Sequence, residues 1–252
     1  MSVPLAEVVS YLDEYLRIAE VPDDSRAMNG LQVENAGSVN RIVAAVDACE
    51  ATIREGGTRG ADLMLVHHGL FWGGPAPIVG ALGRRVRLLI ECGIALYSAH
   101  LPLDCHPDVG NNALLARKLG LSDLVPFGTF AGIRIGVSGV LTLAREALAV
   151  RLSEVTGGVA RIAGFGPAAV SRIGIVSGAG TAALHEAAAA GLDTLITGEG
   201  PHHSYLDAEE LRINLIYAGH YATETLGVQE LAARVGRRFG ISWEFADHPT
   251  GM

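Results

Sequence analysis

Residues 41–69 and 172–200 align with one another without a gap. RIVAAVDACEATIREGGTRGADLMLVHHG lies over RIGIVSGAGTAALHEAAAAGLDTLITGEG, and eight of the 29 positions are identical, among them Arg41/Arg172, Gly60/Gly191, Asp62/Asp193 and Gly69/Gly200. Downstream, Tyr97-x-x-His100-x-x-x-Asp104 matches Tyr217-x-x-His220-x-x-x-Glu224. Each copy opens with a β-type run, passes through a helical run and ends in a second apolar strand. Strands that alternate with helices form sheets through helical crossovers, so the fold class is α/β, in two similar lobes related by the repeat.

The pattern predicts strands over Arg41–Val46, Asp62–Val66, Ile94–Ser98, Arg172–Val176, Thr194–Thr197 and Ile213–Ala218. Helices are expected through about Arg54 and over Ala81–Cys92, Gly110–Leu119, Thr181–Ala190, His203–Leu211 and Glu224–Phe239, with further strands at Ile133–Val140 and Ile241–Phe245. The expected division is a first lobe over residues 1–126 and a second over 127–252, packed as one compact unit. In open α/β sheets ligands bind beyond the carboxyl ends of the strands. Two facing lobes would therefore gather four post-strand loops around one cleft, with the site between them.

Composition narrows the class further. Apolar residues make up 49% of the 252 and charged residues 18%, a balance that favours a packed core over disorder. The formal net charge is −8 and the densest basic cluster is Arg84, Arg85 and Arg87, which argues against a nucleic-acid-binding surface. The N-terminal MSVPLAEVVSYLDEYLRIAE reads as an amphipathic helix rather than a secretory signal. The apolar stretch closest to a membrane span, Val66 to Gly83, is broken by Gly73, Gly74, Pro75 and Pro77. A soluble cytoplasmic protein without a membrane partner is the expectation. Cys49, Cys92 and Cys105 are odd in number and form no CxxC, so neither a disulfide framework nor a cysteine zinc site is expected.

The chemistry gathers at strand ends. His67 and His68 follow the apolar LMLV directly and precede Gly69, which permits a backbone turn that could aim both rings at one site. His220 and Glu224 have i, i+4 spacing at the start of the last helix, which places them about 5–6 Å apart at Cβ on one face if both are helical. Asp104 holds the matching place in the first copy. Three imidazoles and two carboxylates suit Zn, Fe, Mn or Ni better than Ca or Mg. Two such ions about 3.5–4 Å apart can share a hydroxide, lower its pKa and clamp a substrate oxygen.

At this point the chain resembles the Nif-three-like dinuclear-metal proteins, also labelled GTP cyclohydrolase type 2 homologues. The resemblance spans essentially the whole chain. It rests on Asn29-Gly30-Leu31-Gln32-Val33, Val66-His67-His68-Gly69, Ser98-Ala99-His100 with Asp104, Thr197-Gly198-Glu199-Gly200-Pro201-His202-His203, and Gly219-His220-x-x-x-Glu224. It implies a two-lobed α/β subunit in the family's short form, two divalent metal ions per subunit, and a toroidal homohexamer whose sites face an internal cavity. In the family pattern the metal ligands fall on His67, His68, Asp104, His220 and Glu224, the five reached above.

Other residues carry open alternatives. His100 is either a catalytic base or a partner that orients a ligand, against a loop cap on a backbone carbonyl. Glu199, the counterpart of His68, either moves a proton or holds a ligand imidazole, against a helix-start carboxylate favoured by the dipole. His202 and His203 line an entrance or a solvated helix start, and Trp72 stacks on a substrate or packs a subunit contact. Asn29-Gly30 reads as a turn. Gly178-Ala179-Gly180-Thr181 reads as a tight turn with a helix cap before it reads as a phosphate loop. The leading expectation is a metal-dependent hydrolase acting on a nucleotide or other phosphate-bearing small molecule, with His100 and Glu199 as its catalytic groups. The alternative is a non-catalytic metal-binding scaffold or metal-responsive regulator that works through protein partners.

Overall fold

The structure, a computed structural model, describes residues 2–74 and 76–252. Pro75, at the end of the apolar Phe71–Pro75 segment, lies outside the described residues. From the N-terminus the elements are β1 (Val3–Pro4), α1 (Leu5–Leu16), β2 (Gly30–Val33), β3 (Ser38–Val39), β4 (Arg41–Asp47), α2 (Glu50–Thr58), β5 (Leu63–His68), α3 (Gly80–Cys92) and β6 (Ala95–Ser98). Then come α4 (Leu101–Asp104), α5 (Asn111–Leu119), β7 (Ser122–Phe130), β8 (Ile133–Ala144), α6 (Arg145–Thr156), β9 (Arg161–Gly164) and β10 (Ala169–Val176). A 3-10 turn (Gly180–Ala183) leads to α7 (Leu184–Ala189), β11 (Thr194–Thr197), α8 (His203–Leu211), β12 (Asn214–Tyr217), α9 (His220–Phe239) and β13 (Ser242–Phe245).

The chain packs as two units, residues 1–103 with 227–248 and residues 104–226 with 249–252. The boundary expected at 126/127 falls inside β7, where Pro126 pairs with Val137 of β8. The tail belongs with the first unit because β13 pairs in parallel with β4, Ser242 opposite Arg41.

In the first unit a five-stranded sheet runs β13-β4-β5-β6-β2. Its centre is parallel, and β4 and β5 are buried along nearly their whole length, as a sheet covered on both faces requires. Val43, Ala45, Met64, Val66 and Leu96 pack with Ile53 of α2 and Leu89 of α3. The buried Tyr97 on β6 donates its hydroxyl to Asp13 of α1, 2.7 Å away. Burial and the Asp13 carboxylate both push that phenol's pKa upward, so it stays a neutral anchor.

In the second unit a six-stranded sheet runs β7-β8-β10-β11-β12-β9. Its parallel centre, β10-β11-β12, repeats β4-β5-β6 in strand direction, and the first pair keeps its register: Ile42 pairs with Leu63, and Ile173 with Thr194. Ile173, Ile175, Ile196 and Ile216 pack with Leu115 and Leu119 of α5 and Leu148 and Leu152 of α6. Leu195 and Leu215 pack with Leu184 and Ala187 of α7 and Ala208 of α8.

The shared Asp62/Asp193 now has a physical reason. Asp62 Oδ2 accepts from the backbone N–H groups of Asn40 and Arg41 at 2.7 and 3.0 Å. Asp193 Oδ2 accepts from those of Ser171 and Arg172 at 2.7 and 2.8 Å. In each unit the carboxylate after the crossover helix ties down the start of the strand before it. The elements beyond the pattern read from sequence include β7, α6 and β9. β7 carries Pro126 and Gly128 and is largely exposed, as an edge strand tolerates. The last helix begins at His220 rather than Glu224. Among the described residues no helix is long and apolar enough to cross a membrane.

Candidate metal centre

The first unit assembles a cluster of imidazoles at the carboxyl ends of β5 and β6. His67 and His68 both lie within β5, and their ring centroids are 4.7 Å apart. The pair therefore converges without the turn at Gly69 that the sequence suggested. Gly69 is needed for another reason: a Cβ there would lie 2.2 Å from the Gln32 amide. Gln32 Oε1 accepts from Leu70 N–H at 2.7 Å and its Nε2 donates to Met28 O at 2.6 Å, so it ties the histidine loop to the strand of the Asn29–Val33 motif.

His100 joins this pair. Its ring centroid is 5.0 Å from His67 and 5.6 Å from His68, and one ring nitrogen from each of the three lies within 4.8 Å of the others. Trp72 stands edge-on beside His100 and His68, at 5.0 and 5.8 Å, and is 39% exposed. Its neighbour Phe71 packs against the unit's core instead.

Each of these rings is held at Nδ1 by a group that can only accept. His67 Nδ1 donates to Ala99 O at 2.9 Å, His68 Nδ1 to Asp47 Oδ1 at 2.9 Å, and His100 Nδ1 to Asp23 Oδ1 at 2.7 Å. Register explains Asp47, which sits opposite His68 in the β4–β5 pair. Asn29 is not merely a turn residue: its amide donates to Asp23 Oδ2 and its oxygen accepts from His100 N–H, both at 2.8 Å. Burial alone would raise the Asp23 carboxyl, but the His100 hydrogen bond and charge, with Asn29, outweigh it and hold the pKa below the usual range.

The second unit assembles carboxylates around one imidazole. Because α9 starts at His220, His220 and Glu224 share a helix face, with Nε2 and Oε1 3.2 Å apart. His220 Nδ1 donates to Glu199 Oε1 at 2.7 Å. Of the readings open for Glu199, the geometry shows its carboxylate holding an imidazole, that of His220. The Glu224 hydrogen bond, working against burial and helped by the charges of Glu224 and Glu199, pushes the His220 pKa up to about 9.

The buried Asp104 accepts at Oδ1 from Asn111 Nδ2 at 2.8 Å and from Ser177 Oγ at 3.0 Å. Ser177 opens the Gly178-Ala179-Gly180-Thr181 turn, and Gly178 (φ +60°) lies against Glu224, where a Cβ would fall 2.3 Å from Oε1. The turn is no phosphate cradle. The N–H groups of Ser177, Gly178 and Gly180 already donate to Asn112 Oδ1, Thr223 Oγ1 and Thr197 Oγ1. His202 caps α8 and His203 opens it, both exposed, as their place after Pro201 suggested.

The donor chemistry fits divalent transition metals. With Nδ1 protonated against a carbonyl or carboxylate, a neutral imidazole presents Nε2 with its lone pair, the state in which metal-ligating histidines are held. Asp104 and Glu224 of the second unit are carboxylates, a donor class that such metals also accept. Sequence reasoning missed Asp23, Asp47, Asn111 and Ser177. Only Asp47 carried a signal, as the acid that closes the RIVAAVD strand.

Comparison with known proteins identifies relatives along the whole chain. The sequence model of the Duf34/NIF3 (NGG1p interacting factor 3) family matches residues 3–250. A Deinococcus radiodurans protein named GTP cyclohydrolase 1 type 2 homolog is 48% identical over 248 residues, covering 98% of this chain and 94% of that one. A Pyrococcus abyssi protein of the same name is 45% identical over 252 residues, covering 98% of each. A crystal structure of a Thermus thermophilus protein superposes with a TM-score of 0.91 at 44% identity, covering 99% of this chain and 100% of that one.

Proposed function

The chain belongs to the Duf34/NIF3 family, and from that premise we propose that it holds two divalent transition-metal ions per subunit through His67, His68, Asp104, His220 and Glu224, and hydrolyses a nucleotide or other phosphate-bearing small molecule. The observation that carries the metal reading is the common tethering of the three ligand imidazoles. His67, His68 and His220 are each fixed at Nδ1 by a backbone oxygen or a carboxylate, the restraint that metal-ligating histidines almost always carry. When bound, the two ions would lower the pKa of a water molecule and polarise a substrate oxygen. The chain's own groups do the rest. Asp104 and Glu224 supply negative charge to hold two cations together. Asp47 and Glu199 keep His68 and His220 in the ligating tautomer. With Glu199 engaged on His220, the proton-moving task falls to His100. The choice of a phosphate-bearing substrate draws support only from the name its relatives carry.

Elemental analysis of metal-loaded protein tests the centre: close to two ions per chain are expected, and one or none defeats the dinuclear reading. A panel of nucleotide and phosphoester substrates then separates hydrolase from scaffold. We propose further that the protein works in the cytoplasm as a homohexamer, which light scattering at micromolar concentration checks. A stable monomer removes the toroid. The half-exposed Trp72, with Ile78 and Val79 at 57% and 70% exposure, is a surface that such an assembly would cover.

A further inference from the structure

We propose that Asp23 is the positioning residue that fixes the ring and tautomer of His100, and that it thereby makes His100 Nε2 the proton acceptor of the site. The proton-moving task rests on the hydrolase reading above; the positioning does not. The Asp23 side chain is only 7% exposed and accepts four hydrogen bonds. Oδ1 takes His100 Nδ1–H at 2.7 Å and Asp24 N–H at 2.6 Å. Oδ2 takes Asn29 Nδ2–H at 2.8 Å and Leu101 N–H at 3.0 Å.

Two of those donors come from His100 and the residue after it, and Asn29 Oδ1 accepts the His100 N–H as well. Asp23 and Asn29 thus grip both the backbone and the ring of His100. A carboxylate ringed by four donors is kept as the anion and can only accept, so Nδ1 must carry the hydrogen and Nε2 the lone pair. This is the division of labour of a carboxylate that orients a catalytic imidazole without itself taking the proton. In the step that follows, His100 Nε2 takes a proton from water as the water oxygen bonds to the electrophilic centre. The imidazolium, stabilised by Asp23, returns that proton to the departing oxygen as its bond breaks. The ring ends neutral, ready for another turnover.

The test reads the tautomer directly. Protein labelled with nitrogen-15 in its histidines is sedimented and its solid-state spectrum recorded before and after zinc loading, with His100 signals assigned by difference against His100→Gln. In the wild type His100 should carry its hydrogen on Nδ1. In Asp23→Ala that form should fall from dominant to a minority, Asp23→Glu should restore part of it, and zinc content should match the wild type. A wild-type His100 protonated on Nε2 alone overturns the proposal, and this holds even if Asp23→Ala does not fold. An unchanged tautomer in folded Asp23→Ala overturns it too. Loss of zinc together with the tautomer would make His100 a ligand and overturn its role as proton acceptor. A wild type inert toward every phosphoester, with the Nδ1–H signature in place and lost in Asp23→Ala, supports the positioning while removing the hydrolase reading.

Discussion

The two units share a parallel three-strand centre but solve the same chemical problem one strand out of step. In the first, Asp47 at the end of β4 orients His68 at the end of β5, its neighbour in register. In the second, the carboxylate comes after the middle strand and the imidazole after the next one: Glu199 follows β11 and orients His220, which follows β12. The aligned partners make the exchange plain, since Asp47 matches Gly178 and His68 matches Glu199. A duplicated scaffold has kept the pairing of carboxylate with imidazole while moving which strand carries which. What the repeat preserves is the address beyond the strand ends, not the residue placed there.

The largest effects test the ligands themselves. Glu224→Gln keeps size and removes charge, and Asp104→Asn does the same for the other carboxylate. Each is expected to weaken metal binding by more than the ~10–100-fold typical of a supporting residue. His100→Ala should leave occupancy intact while slowing any hydrolysis by roughly 10²–10⁴-fold. Metal content after dialysis against a weak chelator, with steady-state rates, reads both.

One step down, Asp47→Ala and Glu199→Ala should each cost ~10–100-fold in metal affinity by freeing a ligand ring to turn. Competition against a fluorescent chelator measures the pair. If only one variant loses metal, the equivalence drawn between the two units fails.

Acidity distinguishes them next. In chelated protein His220 titrates near 9, chiefly because Glu224 and then Glu199 favour its charged form. A raised folded-state value stabilises the metal-free protein fully below the ordinary histidine value of about 6.5 and loses that contribution as pH rises through about 9. Metal must displace the same proton, so apparent affinity should rise about tenfold per pH unit up to that point. Affinity that is flat between pH 6.5 and 8.5 would contradict it.

The smallest effect is a difference. Asp62→Ala and Asp193→Ala each strand two backbone donors and should cost about 1–3 kcal/mol in urea unfolding. Asp193→Ala should be the costlier, because Asp193 also accepts from the hydroxyls of Ser171 and Thr194. Equal losses would show that those hydroxyls find other partners.

Much of the site was legible because buried parallel strands are written as unbroken apolar runs, and the residues that end such a run are the ones that face a ligand. His67, His68, His100, Asp104, Glu199 and His220 all follow strands recognised in that way. The supporting carboxylates were harder. Asp47 ends an apolar run as well, but the repeat aligns it with a glycine and so hid it. Asp23 lies 77 positions from His100, in a segment with no counterpart in the second copy, where only the backbone's path brings the two together. α9 starts one turn before the Glu224 that the pattern indicates, because His220 is a weak helix former in isolation and follows Gly219. β7 and β9 are the outer strands of the second unit's sheet. Edge strands expose half their residues, and their alternation is easily lost among loops.

The pairing of β13 with β4 has a consequence for how the protein is made. β13 closes one edge of the first unit's sheet against β4, yet roughly two hundred residues separate them in the chain. During synthesis the edge of β4 stays bare until residues 242–245 have emerged. Ile42, Val43, Ala44 and Ala45, all fully buried in the finished protein, would meanwhile offer an unpaired strand to any neighbouring nascent chain. Closing so distant a pair is slow, and a chain cut short before Ser242 never achieves it. Chains that stop short of β13 should therefore be captured by chaperones or accumulate as aggregates.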